Sequence, residues 1–210
     1  MKLYCFAGAC SFVPHTALIL CNADYEIQLL SHEAAKQPEY LAKNPMGAVP
    51  LLEDGDFCLT QNVAILNYLN DKYPDAGLFG KGDSKQQAKA RQWLSFANAD
   101  LHKAYYPIFR PSAFVTDPSL EQDVNATARK RVTDMYKVAD DALVDSDFLT
   151  GEMTVADLYL YVSLRWATLL GLDLSPYKNL TKFINTMQAV PAVQQSLKAE
   201  EIGRAHVWTP

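Results

Sequence analysis

KLYCFAGACSFVPHTALIL, residues 2–20, divides into three parts by its chemistry. Leu3, Tyr4, Cys5 and Phe6 form an apolar run that reads as a strand. Gly8, Ala9, Cys10 and Ser11 are small and read as a tight turn, and Pro14 to about Asn22 reads as a helix. A cysteine on a strand-to-helix turn sits where backbone N–H groups and the positive end of the helix dipole converge, which favours thiolate over thiol. Cys10 is therefore a candidate nucleophile. The competing reading is a small core residue, because free cysteine is among the most buried residue types. Cys5 in the strand, Cys21 near the end of the helix and Cys58 in a short apolar strand all fit that reading. Only Cys10 combines small neighbours with a helix start.

Outward from this stretch, Tyr25 to Leu30 reads as a second strand, and so compact a strand–helix–strand unit implies a parallel pair with a right-handed crossover. Residues 31–43 read as irregular or helical and stop at Asn44-Pro45-Met46-Gly47. The apolar run Ala48 to Glu53 is interrupted by Pro50, for which a cis bond after Val49 is one resolution; Val49 would then face outward like an edge strand. Asp54-Gly55-Asp56 reads as a hairpin turn and Phe57 to Leu59 as the returning strand. A helix from about Thr60-Gln61-Asn62 follows, with Ala64, Ile65, Tyr68 and Leu69 as its apolar stripe, ending near Tyr73-Pro74.

Asp75 to Ser84 holds three glycines and no periodicity, so it reads as a linker and domain boundary. The expected division is 1–76, a linker at 77–84, and an all-helical part at 85–200. In that part, Lys85 to Tyr106 reads as one long helix, Leu120 to Val144 as a second and Phe148 to Leu172 as a third, very apolar one. Shorter helices are expected at about Lys178–Met187 and Ala192–Ala199. Thr154-Val155-Ala156-Asp157 is a capping-box pattern, which assigns Asp157 to folding rather than catalysis.

The 210 residues are 49% hydrophobic and 20% charged, ordinary for a globular protein. No run reaches the ~18 apolar residues of a membrane span, and Met1-Lys2 passes straight into a strand, so neither membrane nor secretory leader is expected. Residues 1–76 carry four Lys/Arg against nine Asp/Glu, which accounts for the whole net charge of −5. That leaves no basic footprint for nucleic acid. The cysteines lack CxxC spacing and a histidine pattern, so no zinc site and no disulfide framework are expected, and a reducing cytoplasm is the default location.

KLYCFAGACS, NPMGAVPLL, LTQNVAILNYL, LHKAYYPIFRP and TVADLYL, in this order and spacing, resemble the cytosolic glutathione transferases, most of all the bacterial beta class. The resemblance runs from Met1 to about Glu200. It implies an α/β thioredoxin-like N-terminal domain (βαβ-ββα) followed by an all-α domain, a homodimer, glutathione as co-substrate and no metal. By this resemblance Cys10 contacts the glutathione sulfur, with Ser11 beside it. Val49, before a cis Pro50, pairs its backbone with the cysteinyl part, and Gln61 and Asn62 grip the γ-glutamyl end. Lys36 and Lys103 can meet the glycyl end, His102 and Lys103 line the site near the sulfur, and Ala99 and Asp100 belong to the same ligand, Asp100 through the partner subunit. An electrophile pocket is expected from Tyr105, Tyr106, Phe109, Phe114 and Trp166. Asn62 and Ser95 depart from the family pattern. His15 is expected to be structural and His32 solvated.

Three functions stay open at this point. Glutathione could be conjugated to a small apolar electrophile, with Cys10, Ser11, Tyr4 or His102 activating the thiol. Cys10 could instead exchange thiol for disulfide through a mixed disulfide with glutathione, or the fold could serve as a ligand carrier. The last ten residues, EIGRAHVWTP, resemble one reading frame of a common sequencing adapter and are expected to be foreign to the native chain.

Overall fold

A computed structural model describes residues 1–200, so the suspected foreign tail lies outside the described residues. The chain forms two compact units, residues 1–81 together with the stretch from 188, and residues 82–187.

In the first unit β1 (Lys2–Cys5), α1 (Phe12–Leu20), β2 (Glu26–Leu29), a 3-10 turn (Ala34–Lys36), α2 (Pro38–Leu41), β3 (Leu51–Asp54), β4 (Phe57–Thr60) and α3 (Asn62–Lys72) follow one another. The four strands are ordered β2-β1-β3-β4. β1 and β2 run parallel with Leu3 opposite Ile27, whereas β1/β3 and β3/β4 are antiparallel with Leu52 opposite Leu3 and Leu59. β1 is central and covered on both faces, which is why Leu3, Tyr4 and Cys5 are all buried. The crossover, the hairpin and the helix after it match the sequence expectation. α1 starts at Phe12, two residues earlier than expected, because Pro14 is accepted inside its first turn.

The second unit opens with α4 (Ser84–Ser95), capped by a reciprocal Asp83–Gln86 box. The single long helix expected from Lys85 to Tyr106 is not continuous. It passes through a π-helical segment (Phe96–Leu101) into the short α5 (His102–Ala104) and α6 (Tyr106–Phe109). The apolar spacing of Trp93, Phe96, Ala97 and Leu101 reads the same in either helix type, so the local widening was not visible in it. α7 (Glu121–Ala142), α8 (Val155–Leu169) and α9 (Lys178–Gln188) complete the unit. α8 is apolar nearly all round and is its buried centre. Tyr105 and Tyr136 share a 2.6 Å hydrogen bond between their hydroxyls there, and Tyr105 also donates to the Ser163 carbonyl at 3.0 Å. The Thr154 box is present as expected: Asp157 accepts from the backbone N–H groups of Leu149 and Thr154, each at 2.8 Å, and from the Thr154 hydroxyl at 2.9 Å.

The last helix, α10 (Pro191–Ala199), groups with the first unit, whereas the sequence division ran the helical part through residue 200. It packs on α1, where Thr16 and Ser196 hydroxyls meet at 2.8 Å and His15 Nδ1 meets Glu200 Oε1 at 2.7 Å. Those partners satisfy the Thr16 hydroxyl and His15 Nδ1 within the buried face of α1, while His15 Nε2 is buried with no hydrogen bond among the described residues.

Candidate functional site

Cys10 lies in the turn between β1 and α1, where Gly8 takes a left-handed φ of 73°. The leading α1 N–H groups are spent within the turn, Phe12 donating to the Ala9 carbonyl at 3.0 Å and Val13 to the Cys10 carbonyl at 3.2 Å. The cysteine is 8% exposed, and its Sγ–H is directed to the Val49 carbonyl at 3.7 Å. What the sulfur meets is thus a backbone edge rather than the cluster of unpaired N–H groups that the sequence led one to expect. Glu200 braces this turn from α10, accepting the Gly8 N–H at 3.1 Å with the carboxyl group that also holds His15.

The two alternative thiol activators of this unit are engaged elsewhere. Ser11 is fully buried, and its hydroxyl donates to the Phe6 carbonyl and accepts the Phe6 N–H, both at 3.2 Å. Tyr4 donates to Glu53 Oε2 at 2.9 Å and accepts from Lys43 at 3.0 Å, with its ring edge against Tyr40. Of the other cysteines, Cys5 is buried, and burial pushes its thiol well up. Cys21 is half-buried, and Cys58 is exposed on edge strand β4, so the core reading fails for Cys58. His32 is half-buried with its ring 4.6 Å from that of Phe6, less solvated than expected.

Val49 precedes a cis Pro50, as the sequence anticipated. Its loop is fixed from behind, the Ala48 carbonyl accepting from the Tyr40 hydroxyl and the Asn44 amide, each at 2.6 Å. Among the described residues the Val49 N–H has no hydrogen-bond partner, which leaves an edge-strand donor available to an extended peptide. At the start of α3, Gln61 is exposed and holds a positive φ of 73°, an unusual conformation for a side-chain-bearing residue. No side chain caps α3, and Asn62 is buried at its first position. An uncapped first turn suits a carboxylate, since its N–H groups and dipole both attract negative charge. Lys36 is exposed on the 3-10 turn and makes no ion pair among the described residues.

The second unit carries His102, half-buried, with Nδ1 2.8 Å from the Tyr159 hydroxyl and its ring 4.8 Å from that of Trp166. Burial, reinforced by the neighbouring Lys103 charge, lowers its pKa to about 4. The imidazole is neutral at ordinary pH, and the same burial opposes its taking up a proton. Tyr159 and Asn98, bonded to each other at 3.0 Å, were not singled out from the sequence. The four-residue spacing of Asn98 and His102 was the available signal.

Ala99, Asp100, Lys103 and Phe114 line a cavity of about 550 Å³ together with Leu120 and Arg131. The aromatic residues expected beside Phe114 are placed differently. Tyr105 is fully buried and Trp166 7% exposed, both in the core; Phe109 is half-buried against them, and Tyr106 is exposed. Core and pocket aromatics share one helical spacing, and the hydroxyl partners of Tyr105 decide for core.

The chain was then compared with known proteins. The family model for the glutathione S-transferase N-terminal domain matches residues 1–71, and the one for the C-terminal domain matches residues 96–191. A curated relative, glutathione S-transferase GST-4.5 of Xanthomonas campestris pv. campestris, is 40% identical over 201 residues, 95% of this chain and 98% of its own. A sphingomonad glutathione S-transferase solved in complex with glutathione has a TM-score of 0.84 at 34% identity, covering 96% of this chain and all (100%) of that one. The bacterial beta class enzyme of Sphingomonas chungbukensis gives 0.83 at 33% identity, with 95% and 98% covered. With both halves matched and this identity holding over nearly the whole length, the chain belongs to the glutathione S-transferase family.

Proposed function

We propose that this protein conjugates glutathione to small apolar electrophiles, with Cys10 contacting the glutathione sulfur. The cysteinyl part of the tripeptide docks along the backbone of Val49, its γ-glutamyl end meets Gln61 and Asn62 at the start of α3, and Lys36, Asp100 and Lys103 contribute charge. Asn62 stands where the family usually has a smaller residue, and this reading accepts it as a polar partner. The observation that carries the reading is the 3.7 Å approach of Cys10 Sγ to the Val49 carbonyl, on the residue whose N–H is left unused. The sphingomonad relative solved with glutathione supports the same ligand. A homodimer in a reducing cytoplasm belongs to this reading, and light scattering of the purified protein checks the dimer.

The test is calorimetric titration with glutathione, together with turnover of an aromatic chloride, for wild type and Cys10→Ala. Wild type is expected to bind and turn over, and the variant to lose about tenfold or more in kcat/KM. Full turnover by Cys10→Ala would move thiol activation to His102; binding without turnover by wild type would leave a carrier.

The position of Cys10 at a peptide-docking edge also favours a second reading, thiol–disulfide exchange. The Cys10 thiolate would attack a glutathione mixed disulfide, expel the other thiolate and become glutathionylated, and a second glutathione thiolate would release it as glutathione disulfide. Mass spectrometry of protein purified without reductant separates the two: a glutathione adduct on Cys10 favours exchange, and a persistent free thiol favours conjugation.

A further inference from the structure

Glu200 reaches both sides of the Cys10 turn from the far end of the chain. Its side chain is fully buried; Oε2 accepts the Gly8 N–H at 3.1 Å, just before Cys10, and Oε1 meets His15 Nδ1 at 2.7 Å, just after it. Valence fixes the protons on this pair. His15 Nε2 is buried with no hydrogen-bond partner among the described residues. With a single proton, on Nδ1, both carboxyl oxygens accept a bond and Nε2 is a bare acceptor. A second proton would sit either on Nε2, as a stranded buried donor, or on Oε2, against the Gly8 N–H. Glu200 therefore keeps its negative charge, held by two hydrogen bonds and by the first turn of α1 beside it. The neighbours feel that charge. Burial and then Glu200 push the Cys5 thiol of β1 well up, and the Tyr25 hydroxyl is raised by burial, Cys5 and Glu200 in that order, its ring 5.8 Å from that of His15. No lysine or arginine pairs with Glu200 among the described residues, and Lys198 of α10 is exposed. Cys10 itself is buried with its S–H directed to the Val49 carbonyl, an acceptor that suits a thiol and repels a thiolate.

We propose that Glu200, oriented by His15, is a positioning residue that fixes the Cys10 turn and holds its sulfur as a thiol, so that Cys10 meets the glutathione sulfur as an S–H donor instead of a nucleophile. The inference rests on the transferase reading above and selects conjugation over exchange within it. A negative charge buried behind the turn opposes a second one on the sulfur. Removing that charge turns the same cysteine toward exchange: its thiolate attacks one sulfur of glutathione disulfide, a mixed disulfide forms, and the other glutathione leaves as a thiolate.

The experiment follows Cys10 in the full chain by peptide mass spectrometry, through its alkylation by iodoacetamide across pH and its glutathionylation by glutathione disulfide at neutral pH. Wild-type Cys10 is expected to reach half its maximal alkylation rate at a higher pH than free cysteine treated alongside. Glu200→Gln is expected to lower that midpoint by about one pH unit and to speed glutathionylation about threefold, the roughly tenfold gain in thiolate being offset in part by its weaker nucleophilicity. A turn that is merely loosened reacts faster at every pH with its midpoint in place, and that result in Glu200→Gln overturns the proposal. Glu200→Asp keeps the charge and is expected to keep the wild-type midpoint. His15→Gln should keep it too, because the ring it replaces is neutral; a raised midpoint there would mean a charged ring and would overturn the assignment. Should Glu200→Gln not fold, the wild-type comparison decides, and a midpoint below that of free cysteine overturns the proposal. A wild type that conjugates no glutathione overturns the transferase reading and the donor role with it, while the midpoints still judge what Glu200 does to the thiol.

Discussion

At the scale of single residues, two titratable groups of the second unit, buried Asp157 and half-buried His102, pull stability in opposite directions with pH. The His102 pKa falls from its ordinary 6.5 to about 4, with burial the main cause, so protonation favours the unfolded chain. Its stabilising contribution is full above about 6.5 and is lost as pH falls through about 4. His102→Gln is therefore expected to flatten the pH dependence of urea unfolding across that window, measured against wild type. Asp157 is pushed up to about 6 by burial, although its hydrogen bonds to Leu149 and Thr154 oppose the rise. Its protonation favours the folded chain, so that contribution is present below about 4 and is lost as pH rises through about 6. Removing the carboxyl group in Asp157→Ala strands the N–H groups of Leu149 and Thr154, at a cost of roughly 3 kcal/mol. An unchanged urea midpoint would count against that account.

At the scale of elements, the start of α3 combines an uncapped first turn with a left-handed Gln61. Backbone strain of this kind costs on the order of 1–3 kcal/mol, more than the roughly 0.5–1 kcal/mol of entropy that glycine adds to the unfolded chain. Gln61→Gly is thus expected to raise stability by about 1 kcal/mol. If Gln61 also holds the γ-glutamyl end, the same variant loses glutathione affinity, which calorimetry reads separately from the unfolding midpoint. The π segment Phe96–Leu101 has a comparable standing, since it carries Asn98 and ends where His102 begins.

At the scale of the molecule, the first unit is closed by residues from both ends of the chain. α10 supplies Ser196 and Glu200 to α1, and Glu200 also holds the Gly8 turn that leads to Cys10. Ending the chain at Gln188 would leave His15 and Thr16 without these partners and bare the covered side of α1. Thr16 keeps its bond to the Phe12 carbonyl and the bared groups meet water, so the loss is chiefly that of the apolar packing between α1 and α10 and of the His15–Glu200 pair. The truncated protein is expected to lose cooperative unfolding of the first unit, seen as a broadened urea transition in circular dichroism. A sharp transition at the full-length midpoint would show that α10 is dispensable.

How much of this was legible beforehand depended on the range of the interaction. Alternating and helical apolar spacing, Gly55 in its turn, Pro50 after Val49 and the Thr154–Asp157 cap act over a few residues. The crossover, the hairpin, the start of α3 and the fold class could therefore be read from sequence alone. Partners far apart along the chain left no local trace. Glu200 lies 185 residues from His15, and Tyr159 lies 57 from His102. Only the tertiary structure could show that Tyr105 and Trp166 are core, that Tyr4 and Ser11 are already engaged, and that His102 meets Tyr159 in a setting that disfavours its charged form. Burial and hydrogen-bond valence are set by what folding packs around a side chain, and its sequence neighbours do not specify that.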